Sequence, residues 1–560
     1  MNKNDKIWVT ILVAALLGYF AWNWFSPKPV APAAPAPTAV APAAVAPAAP
    51  TAQPTATPVA PAPVPEIKPV SEKLYTLANE QVKLTFSDLG ARLTKAELLQ
   101  YRQENKEDSA HVVLATGDLL NLGFDNAARY LNYQVATPDT KTLVFTATLP
   151  SGVALERTVT LEADYMVTVK DAFLSAQGAA LAPYTFSAGS FDLTNQEGDT
   201  LGFDTLEAGE KKPEYHEGEL AKLLGARSAF LGCGTSSDPT GLPLSGNASI
   251  ATPQSWVALK SRFFTTLVMP PAAAPCDYGV AREASAKTLK INRVNATFRY
   301  PAQQLTGGVK TGVVTRLYVG PKLLSNLKTF GNHAERIMDF GMFAWFCELL
   351  LPVLNFFYNL IPNYGIAIIL LTLLVRIVFW PLTHKSTVSM RKMSVVQPQI
   401  KALQAQFKDN PQKLQQETLK LYREHKVNPF SSCLPMLIQI PIFIALFTVL
   451  RSAVELRFAS FLWIADLSQP ENLFVGLLPV PLNILPILTA VTMGLQTHLS
   501  PASGDPAQKK MMTWMMPIML LFMFYSMPSA LCLYWTVSQV LSIAQMWYIH
   551  KTTSTEPVKA

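Results

Sequence analysis

The stretch Tyr364-Gly-Ile-Ala-Ile-Ile-Leu-Leu-Thr372-Leu-Leu-Val-Arg376-Ile-Val-Phe-Trp-Pro381-Leu382 decides the class of this chain. Its apolar length is enough for a helix to cross the ~30 Å hydrocarbon core of a bilayer. Its one charge, Arg376, lies six residues before Leu382, roughly 9 Å of helix, and so in the inner half of the bilayer rather than at its edge. An arginine at that depth either snorkels to the cytoplasmic headgroups or faces a water-filled cavity, and an intramembrane charge marks a pathway by default.

Working outward, four more apolar segments of spanning length follow: Cys433 to Leu450, Leu482 to Leu499, Met511 to Met527, and Ala530 to Ile549 after the tight re-entry Pro528-Ser529. At the other end Lys3 and Lys6 precede a charge-free, mainly apolar run from Ile7 to Phe25 with Trp22 and Trp24 at its close. It is longer than the apolar region of a signal peptide and ends in an aromatic pair, so it reads as a retained anchor. The segment Asp339 to Leu360 is apolar but carries Glu348, Asn355, Asn359 and a central Pro352, which assigns it to the interface. That gives six spans. Between His384 and Asn428 nine basic residues face Asp409, Glu417 and Glu424, a balance of +6, whereas Arg451 to Pro481 holds two bases against three acids. Six spans put every basic cluster on the side of Lys3 and Lys6, as the positive-inside rule requires, and seven would not. Both termini are therefore expected in the cytoplasm.

Composition agrees. Of 560 residues 49% are hydrophobic and 15% charged, with net charge +7, against about a quarter charged in soluble proteins. The five cysteines, Cys233, Cys276, Cys347, Cys433 and Cys532, show neither a disulfide framework nor zinc spacing, and pairing of Cys233 with Cys276 is not expected.

Ser26 to Pro69 is rich in Pro, Ala, Val and Thr, a tether that cannot build a core. From Ser71 to Val319 apolar residues alternate, as in Val82, Leu84 and Phe86, or Leu143, Phe145, Ala147 and Leu149. Pro150-Ser151-Gly152 then turns the chain into Val153 and Leu155, a hairpin, and the style continues as a large antiparallel β-sandwich. Gly307 to Gly312 lacks the spacing of a phosphate-binding loop and reads as a plain loop. No metal-ligand cluster or nucleotide motif is found, so neither metal nor cofactor is expected.

The expected organisation is an anchor (1–25), a linker (26–70), a periplasmic β-sandwich (71–335), an interfacial amphipathic helix (336–361), a five-helix core (362–551) containing a cytoplasmic helical hairpin (384–428), and a short tail (552–560). The hairpin turns at Asp409-Asn410-Pro411. In the last span Trp535, Ser538, Ser542 and Gln545 share one helical face, with Gln439 in the third span and Thr372 one turn before Arg376. Interhelical hydrogen bonds account for such a polar face as readily as a cavity does.

The ordered matches Leu374-Val-Arg376-Ile-Val-Phe-Trp-Pro381, Gln397-Pro398, Lys426-Val-Asn428-Pro429, Cys433-Leu-Pro435, Ile438-Gln439-Ile-Pro441-Ile-Phe443, Lys510-Met511-Met512 and Pro528-Ser529 with Leu533-Tyr534 closely resemble the bacterial YidC-type membrane protein insertases. The resemblance runs from Leu317 to about Gln545; in the outer domain it rests on Ser255-Trp256-Val257-Ala258 and Phe263-Phe264. It implies five core spans around a hydrophilic groove, open to cytoplasm and lipid, in which Arg376 receives the polar or acidic tail of a nascent chain. The substrate's apolar segment would leave along the third and fifth spans, and Thr372, Gln439, Phe443, Tyr534 and Trp535 would line or flank the route. Trp535 departs from the tyrosine common at that position. Implied partners are nascent membrane proteins, the secretory translocon, the ribosome through the basic hairpin, and the lipid bilayer of the bacterial inner membrane; DNA is not among them. Carrying polar groups through hydrocarbon costs several kcal/mol each, and a wet half-depth groove shortens that path without nucleotide hydrolysis. Two other readings remain open at this point: a secondary transporter with Arg376 binding a small anion, although no inverted repeat is visible, and a membrane-anchored enzyme acting on sugars.

Overall fold

The computed structural model describes residues 72–552 apart from 125–129, 150, 193–200, 217–219, 221–222, 225–242, 283–290, 409, 426–433, 478–479 and 500–510. The anchor, the linker, the tail after Thr552, Cys233 and the Asp409 turn position lie outside these residues.

The alternation read in the outer domain produces strands that pair antiparallel throughout the described sheets. A four-stranded sheet runs in chain order through Leu74–Ala78, Val82–Ser87, Arg92–Arg102 and His111–Leu119. A thirteen-stranded sheet contains the expected hairpin, Thr142–Thr148 against Ala154–Leu161, with Leu143 opposite Val159. The two sheets face each other: Phe86 of the first meets Phe145 of the second with ring centroids 6.2 Å apart. Such burial dominates the energetics, at about 1.5–3 kcal/mol for each large apolar side chain.

A charge pair is embedded in this packing. Arg157 is fully buried, and its guanidinium grips Asp171 bidentately at 2.6 and 2.9 Å. Its Nη1 donates to the carbonyls of Ala91 and Leu120 at 3.2 and 2.5 Å. Those carbonyls flank strands of the four-stranded sheet, so one side chain joins both layers. The Gly307 to Gly312 loop needs correction: only Thr306 to Val309 turns, and Lys310–Pro321 is a strand paired with Met166–Leu174. Alternation there is hidden because the strand's outer half is solvated and its inner half buried on both faces.

The sandwich ends on a short helix, α1 (Leu324–Phe330), whose Leu324, Leu327 and Phe330 are buried. The expected 335/336 boundary falls inside a 3-10 turn, Ala334–Met338, and the next helix, α2, spans Ala344–Leu360. Trp256 of the sandwich, fully buried, donates Nε1–H to the Asn332 carbonyl at 2.9 Å and holds this connection down.

The Asn363 side chain accepts from the Ile366 N–H at 3.1 Å and caps α3, which spans Tyr364–Gln406 as one 43-residue helix. The expected division at His384 therefore marks no break: Pro381 and Pro398 are accommodated inside the helix. Asn410 caps α4 (Pro411–Glu424) by accepting from Lys413 N–H, and Leu421 and Tyr422 of α4 pack on Val396 and Ile400 of α3. There follow α5 (Leu434–Ser452), α6 (Ile484–Leu499), α7 (Met516–Phe524) and α8 (Ser529–Thr552). Among the described residues, Gly341–Leu360 and Tyr364–Met390 are the two segments that meet a spanning test by length and apolarity, while Gln439–Ser452, Ile484–Leu499 and Thr513–Phe524 are shorter apolar helices.

Candidate functional site

The last helix organises the apolar helices, because its different faces meet different neighbours. Toward α3, Ser538 receives the Arg376 guanidinium: Nε donates to Ser538 Oγ at 3.2 Å, and Nη2 to Ser538 Oγ and carbonyl at 2.5 and 2.8 Å. Two turns further along α8, Gln545 Nε2 donates to Thr383 Oγ1 at 3.0 Å. Toward α5, Gln439 Nε2 donates to the Tyr534 hydroxyl at 2.9 Å. Toward α6, the Thr489 and Thr536 hydroxyls meet at 2.7 Å.

Arg376 is half-buried. Its described acceptors are a hydroxyl and a carbonyl, both neutral, and it forms no ion pair with any described carboxylate. Nη1 makes no hydrogen bond to a described residue. A guanidinium carries five N–H donors in a rigid fork, so one edge is fixed by Ser538 and the other can take a further acceptor. Tyr534 lies one turn of α8 from Ser538, which puts the Gln439–Tyr534 pair on the turn next to the arginine.

An aromatic cluster adjoins the polar pair. Phe443 of α5 meets Trp535 edge-on, centroids 4.9 Å apart and planes at 82°, and both approach Phe524 of α7, at 6.4 and 5.5 Å. The Trp535 indole N–H is buried without a partner among the described residues. Thr372 is placed differently from the other five expected residues. It is buried, and its hydroxyl donates to its own helix at the Ile368 carbonyl, 2.6 Å away.

Of the six residues singled out from the sequence, the fold brings Arg376, Gln439, Phe443, Tyr534 and Trp535 around two turns of α8, and Thr372 one turn from Arg376. Sequence reasoning had Ser538, Ser542 and Gln545 on one face but did not make Ser538 the partner of Arg376. Helical spacing in the last span carried that signal. Phe524 had none, being one apolar residue in an apolar run.

Two family descriptions match the chain: "YidC periplasmic domain" over residues 74–353 and "60Kd inner membrane protein" over residues 356–556. The chain is 30% identical over its whole length to the whole of a membrane protein insertase YidC from Geobacter metallireducens. It is 39% identical to a YidC insertase from Pelobacter propionicus over 53% of this chain, a match that spans about half, 54%, of that relative. Among solved structures, an active YidC insertase crystal structure with its first transmembrane domain resolved is 20% identical, with TM-score 0.35, covering 87% of this chain and 94% of that one.

Proposed function

The chain belongs to the YidC family of membrane protein insertases, and from that premise we propose that it inserts nascent inner-membrane proteins by offering their polar segments the free edge of the Arg376 guanidinium. It is an inner-membrane insertase and not an enzyme.

The observation that carries the arginine reading is the one-sided anchoring by Ser538: a half-buried cation whose described acceptors are neutral and whose Nη1 has no described partner. In a reduced dielectric such a cation attracts an acidic or polar tail, since charge-assisted hydrogen bonds are about twice as strong as neutral ones. The membrane potential adds about 2.3 kcal/mol per 100 mV for each negative charge moving outward. The hydrophobic effect then drives the apolar segment of the substrate into lipid. In this reading Gln439, Tyr534 and Thr372 flank the polar end of the route, and Phe443 and Trp535 the apolar end, along α5 and α7.

The topology that goes with it has six spans, residues 362–551 supplying five around a hydrophilic groove, with both termini cytoplasmic. Pro528-Ser529 is the tight extracytoplasmic turn, and α2 lies in the interface, where its exposed Trp345, Leu349, Phe356 and Leu360 meet lipid. The basic hairpin around α4 serves as the contact for ribosomes, and the protein works alone or with the secretory translocon.

The test is photocrosslinking from Ile440 and Ile444, two exposed positions of α5. A stalled single-span nascent chain should be captured at both positions, and capture should fade once the chain is released. Adducts with lipid alone at every stage would count against the route.

A further inference from the structure

The loop between α5 and α6 is stitched to the ends of four helices. Phe461 lies on the first turn of α3, where a Cβ built on Gly365 would collide with its ring, and Asn363 Nδ2 donates to the Ser460 carbonyl at 3.4 Å. The Leu467 and Gln469 carbonyls accept from the N–H groups of Ala530 and Ser529, at the start of α8, at 2.9 and 2.8 Å. Glu471 Oε2 accepts from the Leu485 N–H of α6 at 2.8 Å, and Asn483 Nδ2 donates to the Tyr525 carbonyl, just past α7, at 2.7 Å. The loop therefore stands at the height of the helix ends, where the apolar layer begins.

Two excursions project from it, closed at their bases by the bridges Phe461–Ile464 and Leu473–Leu482. Their tips carry Leu462 and Trp463 on one, and Phe474, Val475, Leu477 and Val480 on the other, all exposed, Leu477 at 80% and Leu462 at 76%. Residues 461–464 and 473–482 include no charged side chain. The charges of the loop are held lower down. Glu455 accepts from Asn355, Arg457 donates to the Arg102 and Gln103 carbonyls, Asp466 accepts from the Phe458 and Ser468 N–H groups, and Glu471 Oε1 accepts the Trp463 indole N–H at 2.6 Å.

Each tip also sets a large apolar residue in the left-handed region, Leu462 at φ 51° and Phe474 at φ 58°. In water, glycine or asparagine there would ease the backbone and expose less apolar surface. Bulky side chains at such positions are strained and unsolvated at once, and an apolar surrounding offsets both.

The neighbouring surfaces indicate what that surrounding is. Val480 is four residues from Ile484, at most about 14 Å of chain, and α6 then exposes Ile487, Leu488 and Val491 on one side. The other tip adjoins α3, which exposes Leu373, Leu374, Ile377 and Val378. In an inner-membrane protein these helix faces meet lipid, and the tips continue them. Trp463, with its N–H tied to Glu471 and its ring exposed, has the amphipathic form that membrane interfaces favour. We propose that the two tips dip into the headgroup–acyl boundary of the bilayer as a pair of uncharged wedges, fixing the lipid surface at the ends of α3 and α6. The leaflet concerned, the outer one, rests on the topology proposed above; immersion in lipid does not. Tips without charge recognise the acyl region rather than a headgroup, so phosphatidylcholine and phosphatidylglycerol should serve equally, at low and at high salt.

The experiment places a dansyl amino acid singly at Leu462, Val475 or Thr140, an exposed residue of the sandwich, in the full chain in nanodiscs. At Leu462 and Val475, lipid carrying a nitroxide near the top of its acyl chain should quench the probe and aqueous iodide should not; at Thr140 the reverse is expected. Leu477→Asp should abolish nitroxide quenching at Val475 and shift its emission to the red while leaving the thermal midpoint unchanged. Iodide quenching of both tips, unchanged quenching in Leu477→Asp, or a demand for anionic lipid that salt removes would overturn the proposal. So would tips open to iodide in nanodiscs but shielded in native membranes, which would make this face a protein contact. Iodide added outside sealed right-side-out vesicles reads the leaflet separately: a Thr140 probe that escapes it would overturn the six-span topology and leave the lipid contact standing.

Discussion

Replacing Arg376 by alanine should impair insertion of substrates with acidic translocated tails far more than of substrates with neutral tails. Twelve residues separate Tyr364 from Arg376 on α3, about 18 Å at 1.5 Å per residue, so the guanidinium stands past the middle of a ~30 Å hydrocarbon layer. A carboxylate 4 Å away would interact by about 4 kcal/mol at an effective dielectric of 20. Desolvation takes back part of this, and hydrogen bonds to charged groups retain about 1.5–3 kcal/mol net. That corresponds to roughly ten- to hundredfold in occupancy. Arg376→Ala should therefore cost acidic-tail substrates about that factor. Arg376→Lys should recover part of the loss, because lysine keeps the charge but lacks the fork that grips Ser538. The assay is protease protection of a short single-span substrate, its tail carrying Asp or the matched Asn, in cells depleted of the native insertase. Equal loss for both tails would refute the electrostatic argument and leave Arg376 as a packing residue.

Ser538→Ala removes the hydroxyl that orients the guanidinium but leaves the Ser538 carbonyl. In the same assay it should cost about 1 kcal/mol with the same acid-selective pattern, and a uniform loss would argue for simple misfolding. Trp535→Ala should lower stability by about 3–5 kcal/mol, read as the thermal midpoint in detergent, and Trp535→Phe by much less, because the edge-on contact with Phe443 needs a ring rather than an indole. In the sandwich, Arg157→Ala strands Asp171 in the interior and should cost about 3–5 kcal/mol, measured as increased protease sensitivity of the outer domain. Burial pushes the Asp204 carboxyl up to about 6 against the pull of Lys260. The folded state then holds that proton more tightly than the unfolded chain, so this stabilisation is complete below about pH 4 and is lost as pH rises through 6. Asp204→Asn should flatten that segment of a denaturant-midpoint profile, and an unchanged slope would show that another group titrates there.

Which face of a described strand or helix is buried was legible in the sequence. Alternating Val82, Leu84 and Phe86 became a strand with one buried face, and Leu143 to Leu155 became a hairpin in the expected order. The polar spacing of Ser538, Ser542 and Gln545 became a buried face of α8. These patterns are local, since each follows from the period of a helix or strand beside a single boundary between apolar and polar surroundings. The partners of the charges were not legible. Arg376 meets Ser538 162 positions away, and Arg157 bridges Asp171 and two carbonyls of the opposite sheet. Residues 260, 262, 322 and 451 form a recess only because the sandwich rests on the end of α5. Thr383, the one residue between Leu382 and His384, carries no helix-stop signal, and Pro381, which biases the reading toward a stop, is carried inside α3. A sequence fixes which side chains leave water, because that preference belongs to each residue and its near neighbours; which of them touch is decided by how distant elements pack.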